Sequence, residues 1–129
     1  MNKPLNPSDI APPYKNRYSH AFEVPSGSRL LIVSGTVGVR ADGVVPSEFA
    51  EQAVLVMENL TQILKSADMA WEDVVKLNGY LKPQCDLPTF ADIRHKYFAP
   101  DKPAMTLVWV TGLVDPRWLI EVDIIAAKR

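Results

Sequence analysis

The chain is expected to fold as a single α+β domain, a sandwich with both helices on one face of a mixed sheet. Three observations point there. Apolar residues recur at helical spacing from Phe49 to Ala67. Shorter β-rich stretches lie on both sides of that helix. A length of 129 residues buries one core and leaves little room for a second.

Residues 1–17 hold Pro4, Pro7, Pro12 and Pro13, which lack an amide hydrogen and push their neighbours into extended shapes. They are expected to form an irregular surface arm. Residues 18–24 read as a strand, and Pro25-Ser26-Gly27-Ser28 supplies a turn. Residues 29–34 read as a second strand, so the two are expected to pair as a hairpin. Gly35, Gly38 and Gly43 mark a loop. Ser47 is the expected cap of the first helix, whose apolar face carries Phe49, Ala53, Val56, Met57, Leu60, Ile63, Leu64 and Ala67.

Residues 74–81 read as a strand. Asp86 is placed to cap a second helix, with Pro88 tolerated in its first turn, and Pro100 and Pro103 end that segment. Residues 105–111 and 118–127 read as the last two strands. The order is β-β-α-β-α-β-β. Helices on one face leave the other face of the sheet bare, and a bare, partly apolar face favours self-association.

Composition narrows the function. A formal net charge of -1 supplies no basic field for nucleic acid. The one cysteine, Cys85, allows no intrachain disulfide, and the polar N-terminus has no signal-like apolar core. No apolar run is long enough to span a bilayer. A cytoplasmic protein is expected, with no nucleic-acid or membrane partner. The two histidines, His20 and His95, and Cys85 give no metal-ligand spacing and no nucleophile–base set, and no dinucleotide or phosphate-loop motif occurs. No metal and no cofactor are expected.

The last strand carries the most chemistry. Side chains alternate faces, so Trp118, Ile120, Val122 and Ile124 share one face, and Glu121 and Asp123 share the other. If the apolar set lies under the helices, the two carboxylates point at the bare face, roughly 7 Å apart. Such a pair either raises one member's pKa and creates a general acid or base, or forms a solvated charged face. Ser34-Gly35-Thr36 is either a plain turn or a place where backbone amides approach a ligand closely.

Six segments in order resemble the RidA/YjgF family. Tyr18-Ser19-His20-Ala21 resembles the family's Y-S-Q-A, and Val33-Ser34-Gly35-Thr36 its V-S-G-Q. Glu58-Asn59-Leu60 lies in a helix like its L-E-N-L helix, and Trp71-Glu72-Asp73-Val74-Val75-Lys76 resembles L-E-D-V-V-K. Lys102-Pro103-Ala104 matches K-P-A, and Ile120-Glu121-Val122-Asp123 resembles I-E-I-E.

The resemblance implies a chorismate-mutase-like fold and a homotrimer that holds a small molecule in clefts between subunits. It implies hydrolysis of reactive enamines and imines, such as 2-aminoacrylate, to a keto acid and ammonia. It assigns Glu121 the catalytic role of positioning the attacking water, and places Tyr18, Ser34 and Gly35 along the cleft. An arginine follows K-P-A in the family and grips the substrate carboxylate. Here that position is Met105, followed by Thr106, and both are expected to line the cleft. Asn16-Arg17 replaces the glycine-proline before the tyrosine, and Pro88 replaces an asparagine at the second helix.

Methionine has neither charge nor donor, so the usual carboxylate anchor is missing, a loss worth several kcal/mol of binding. Deamination of 2-aminoacrylate is therefore expected to be weak or absent. Two readings remain: hydrolysis of an imine or enamine anchored in another way, for example by Arg17, or a binding or regulatory trimer without chemistry. The endoribonuclease role attached to some relatives is the weakest option, for want of basic charge and a histidine acid–base pair.

Overall fold

The computed structural model describes residues 1–98 and 100–129. Six strands and two α-helices alternate along the chain: β1 (Lys3–Leu5), β2 (Ala21–Glu23), β3 (Arg29–Val37), α1 (Phe49–Ser66), β4 (Val74–Leu81), α2 (Leu87–His95), β5 (Ala104–Trp109) and β6 (Ile120–Lys128). Two short 3₁₀ turns, Tyr14–Asn16 and Trp71–Asp73, complete the order. The main sheet runs β3-β6-β4-β5. In it β6 is antiparallel to both β3 and β4, while β4 and β5 are parallel and joined through α2. This is the expected α+β sandwich on a mixed sheet.

The core lies between the helices and one sheet face. Helix α1 buries Ala53, Val56, Met57, Leu60 and Leu64, the one-sided stripe that spacings of three and four residues produce. Against it lie Ile120, Val122, Ile124 and Ala126 of β6, Leu77 and Leu81 of β4, Val33 of β3 and Phe90 of α2. Alternation sends Glu121 and Asp123 of β6, and Asn78 and Tyr80 of β4, to the opposite face, where each is half-buried. That face is also partly apolar at its margins. Leu30 and Ile32 of β3 are 60% and 68% exposed, and Val108 of β5 is 41% exposed.

Four local expectations are corrected. The Pro25–Ser28 turn forms, with the Ser28 amide donating to the Pro25 carbonyl at 3.3 Å, but its flanks do not make a hairpin. Strand β2 pairs with β1, and β3 pairs with β6. The turn reverses the chain, but the longer ladder on β6 gives the apolar side of β3 a core to face. The N-terminal arm is accordingly not irregular throughout, since Lys3–Leu5 supplies the partner strand. Strand β3 does not stop at Ser34. It continues to Val37 through a bulge between Val33 and Thr36, and the glycine read as a strand end is what lets the strand bend. Helix α1 starts after Glu48, one residue beyond Ser47, without a side-chain cap.

A buried amide holds the start of α1 instead. Gln52 Nε2 donates to the carbonyls of Pro46 at 2.7 Å and Arg117 at 2.9 Å, and the Leu119 amide donates to Gln52 Oε1 at 2.8 Å. These bonds tie the loop before α1 to the segment entering β6. Two turns further on, Asn59 Nδ2 donates to the carbonyls of Val37 at 3.1 Å and Val39 at 3.0 Å and fixes the exit of β3.

Candidate functional site

The residues singled out in the sequence gather in two places. The first is at the β3 bulge. Residues Ser34 and Gly35 together oppose the β6 segment between Val122 and Ile124, and Glu121 pairs with Val37. The Glu121 carboxylate occupies the space over Gly35, so closely that a Cβ at position 35 would collide with it. Glu121 also lines an open cavity of about 450 Å³ with Tyr80, Val110, Gly112, Leu113 and Val114. Ser34 is exposed beside it, and the Thr36 hydroxyl donates to the Ser34 carbonyl at 3.0 Å.

The two carboxylates of β6 have different surroundings. Asp123 accepts from Asn78 Nδ2 at 2.8 Å and from the Tyr80 hydroxyl at 2.9 Å, one bond to each oxygen. It is a held acceptor that ties β6 to β4. Tyr80 in turn is pushed above the usual phenol range, first by its bond to Asp123, then by burial and by the charges of Asp123 and Glu121. It therefore stays protonated and donating at neutral pH. Glu121 has no side-chain hydrogen bond among the described residues, so its lone pairs are free to accept from a water.

The second cluster lies at the β5 edge. The Ser19 amide donates to the Pro103 carbonyl at 3.1 Å, its hydroxyl donates to the Lys102 carbonyl, and Ser19 bridges Ala104 in parallel. This short ladder lays the N-terminal segment alongside Lys102-Pro103-Ala104 and brings Tyr18 to Met105. Both line a cavity of about 520 Å³ with Thr106, Leu107, Leu87, Pro88, Ala91, Arg94, Tyr14, Lys15 and Arg17. Its walls are apolar on the β5 and α2 sides and basic at Lys15, Arg17 and Arg94. Among the described residues none lines both this cavity and the one beside Glu121.

Arg94 lines this second cavity and is not among the residues singled out in the sequence. It shares the buried face of α2 with Leu87, Phe90 and Ala91 at intervals of three and four, a spacing that marks it in the sequence. It is 5% exposed, with its guanidinium 5.1 Å from the Phe90 ring centre. Its Nη1 is buried without a hydrogen-bond partner. Burial, and then the neighbouring charge of Arg17, hold its pKa down to about 10, which still leaves it cationic at neutral pH.

The remaining polar candidates lie elsewhere. His20 stacks edge-on with Tyr18 at 6.0 Å, and its ring nitrogen is 2.7 Å from the Ala11 carbonyl, so it pins the arm. His95 is exposed at the end of α2. Cys85 is buried, and desolvation raises its thiol pKa, which disfavours the thiolate. Among the described residues no group of three His, Cys, Asp or Glu side chains is placed to hold a metal, and no helix is long and apolar enough to cross a membrane.

The chain is thus an α+β sandwich with an open carboxylate at a strand bulge and a basic, apolar-walled cavity at the sheet edge. The family model described as Endoribonuclease L-PSP matches residues 9–128, and the chain belongs to that family, the RidA/YjgF group. It is 32% identical to a RutC family protein of Pyrococcus abyssi over 131 residues, covering all of both chains. It is also 32% identical to the 2-iminobutanoate/2-iminopropanoate deaminase of Mus musculus over 121 residues, covering 92% of this chain and 86% of that one. The crystal structure of the Rid-family protein YyfB from Yersinia pestis superposes with a TM-score of 0.85 at 29% identity, covering 98% of each chain.

Proposed function

We propose that this RidA-like protein hydrolyses a reactive imine or enamine that is not held by an arginine at position 105. The site is formed between copies of the chain in a homotrimer, where the Glu121 cavity of one copy meets the Tyr18–Met105 cavity of the next. The observation that carries this reading is the difference between the two carboxylates: each oxygen of Asp123 is held by a donor, from Asn78 and Tyr80, while Glu121 lines an open cavity with no side-chain hydrogen bond among the described residues. The relatives named as 2-imino acid deaminases support the reaction class. The exposed Leu30, Ile32 and Val108 on the sheet face that carries Glu121 support association through that face.

In this reading Glu121 accepts a proton from a water as the water's oxygen attacks the C=N carbon. The C–O bond forms while the C=N π pair moves to nitrogen, which takes up a proton. Glu121 then returns its proton to the amino group of the tetrahedral adduct, which leaves as ammonia while the hydroxyl proton passes to solvent, giving the oxo product. Overall one water is consumed and one ammonia released. Tyr18, Ser34, Gly35, Met105 and Thr106 shape the cleft around the reacting carbon.

The test is ammonia release from 2-aminoacrylate generated in situ. Wild type is expected to be slow on this three-carbon substrate, because position 105 gives so short a molecule's carboxylate no partner. Met105→Arg supplies two charge-assisted hydrogen bonds and is expected to raise the rate. Adding Glu121→Ala is expected to abolish the gain. A folded, trimeric Met105→Arg protein with an unchanged rate would instead favour a binding or regulatory trimer.

A further inference from the structure

We infer that Arg94 is the anion anchor of the Met105 cavity, and that the cavity takes a small monocarboxylate with an apolar body. The assignment rests on reading this cavity as one half of the substrate site, and it names the class of ligand held there.

The observations converge on one unmatched charge. Arg94 is nineteen-twentieths buried by its 5% exposure, lines the cavity, and leaves Nη1 without a partner. A buried guanidinium costs stability unless an anion or acceptor meets it. Among the described residues no acidic side chain lines the cavity, while Lys15 and Arg17 add two more basic groups near the N-terminal segment. None of the three takes part in a salt bridge among the described residues. A fold with a formal net charge of -1 thus concentrates three cations and no carboxylate around one cavity. Glu121 of the next copy would bring one carboxylate against three cations, so a bound anion is still the fitting partner for the charge left over.

The rest of the lining selects the body of that anion. Leu87, Ala91, Met105 and Leu107 give apolar walls, and Pro88 removes a backbone donor from the first turn of α2. At about 520 Å³ the cavity is far larger than a three-carbon acid needs. Only one of the three cations is deeply buried, which suits a single carboxylate better than a multiply charged phosphate. Met105 then has a role: it contributes apolar contact where an arginine would otherwise stand, and the charge is supplied from α2.

The test is calorimetric titration of the full-length protein with 4-methyl-2-oxopentanoate, a stable oxo analogue of a 2-imino acid, beside the neutral 4-methyl-2-pentanone and inorganic phosphate. Wild type is expected to bind the oxo acid and neither of the others. Arg94→Met keeps the stem packed against Phe90 and removes the charge. It is expected to weaken oxo-acid binding by about 30-fold or more, and to melt no lower than wild type, because an unpaired buried charge has gone. If Arg94→Met does not fold, Arg94→Gln carries the same comparison with hydrogen-bonding capacity kept. Equal binding of acid and ketone by wild type, preference for phosphate, or unweakened binding by either variant would overturn the assignment. Ammonia release from the corresponding imine separates this from the hydrolase reading. Binding without turnover leaves the anchor standing, whereas turnover with an unchanged KM in the Arg94 variants removes the anchor and leaves the hydrolase.

Discussion

Gly35 and Glu121 share one space: the carboxylate of Glu121 lies where any side chain at position 35 would have to go. The bulge in β3 brings the glycine there, and the pairing of Val37 with Glu121 fixes the register. Position 35 thereby controls where the Glu121 carboxylate sits. Gly35→Ala is expected to push the flexible Glu121 side chain aside and cut imine hydrolysis at least about tenfold, as expected for a misplaced general base. Its denaturation midpoint is expected to change little, because the backbone at 35 does not occupy the left-handed region that favours glycine. Steady-state kinetics and urea unfolding on the same protein check both parts.

Asp123 is a structural acid, and its donors set a pH dependence. Tyr80→Phe leaves one Asp123 oxygen without its donor and is expected to cost about 1–3 kcal/mol in urea unfolding. The folded pKa of Tyr80 lies above its ordinary value of 10.0. The folded state therefore binds the phenolic proton more tightly than the unfolded state. That contribution is fully present below about pH 10 and is lost as pH rises from there through the folded pKa. Wild type is expected to lose stability more steeply above pH 10 than Tyr80→Phe, measured as unfolding midpoint against pH.

Gln52 supports the loop that walls the Glu121 cavity. Gln52→Leu fits the volume but strands the Pro46 and Arg117 carbonyls and the Leu119 amide. The expected cost is about 1–3 kcal/mol, the cost of one buried unpaired group, set by the buried Pro46 carbonyl. Hydrogen exchange at residues 110–119 is expected to quicken before global unfolding does.

Cys85 is predicted to be chemically silent. With its thiol buried and its pKa raised by desolvation, native protein is expected to react with a thiol reagent many times more slowly than urea-unfolded protein.

The periodic parts of this fold were legible in the sequence, and the pairings were not. Apolar spacing in α1 and alternation in β6 report which face is buried, so the opposite placement of Glu121 followed from parity alone. Turn chemistry at Pro25–Ser28 reports a reversal but not which ladder each flank joins, and so the expected hairpin gave way to β1-β2 and β3-β6 pairs. Gly35 looked like a strand end because a bulge and a terminus carry the same local signal. The resemblance named Tyr18 and Met105 together, and the Ser19–Ala104 bridge gives the physical reason they meet. Arg94 was hidden by its charged neighbours His95 and Lys96, although its spacing from Leu87, Phe90 and Ala91 places it on the buried face of α2.

The association of copies has its own measure. Sedimentation equilibrium is expected to give a mass three times that of the 14.4 kDa chain, and Ile32→Glu, on the exposed sheet face, is expected to lower it. A monomer across micromolar concentrations would leave the two cavities unjoined.

The most direct test of the hydrolase reading is the rate of ammonia release from the imine of 4-methyl-2-oxopentanoate, generated in situ by an amino acid oxidase, with wild type and Glu121→Gln side by side. Wild type is predicted to exceed the spontaneous rate well beyond experimental scatter, and Glu121→Gln, folded and of the same oligomeric state, to return it to the spontaneous rate. A wild-type rate no faster than buffer, or a Glu121→Gln rate equal to wild type, would contradict the account.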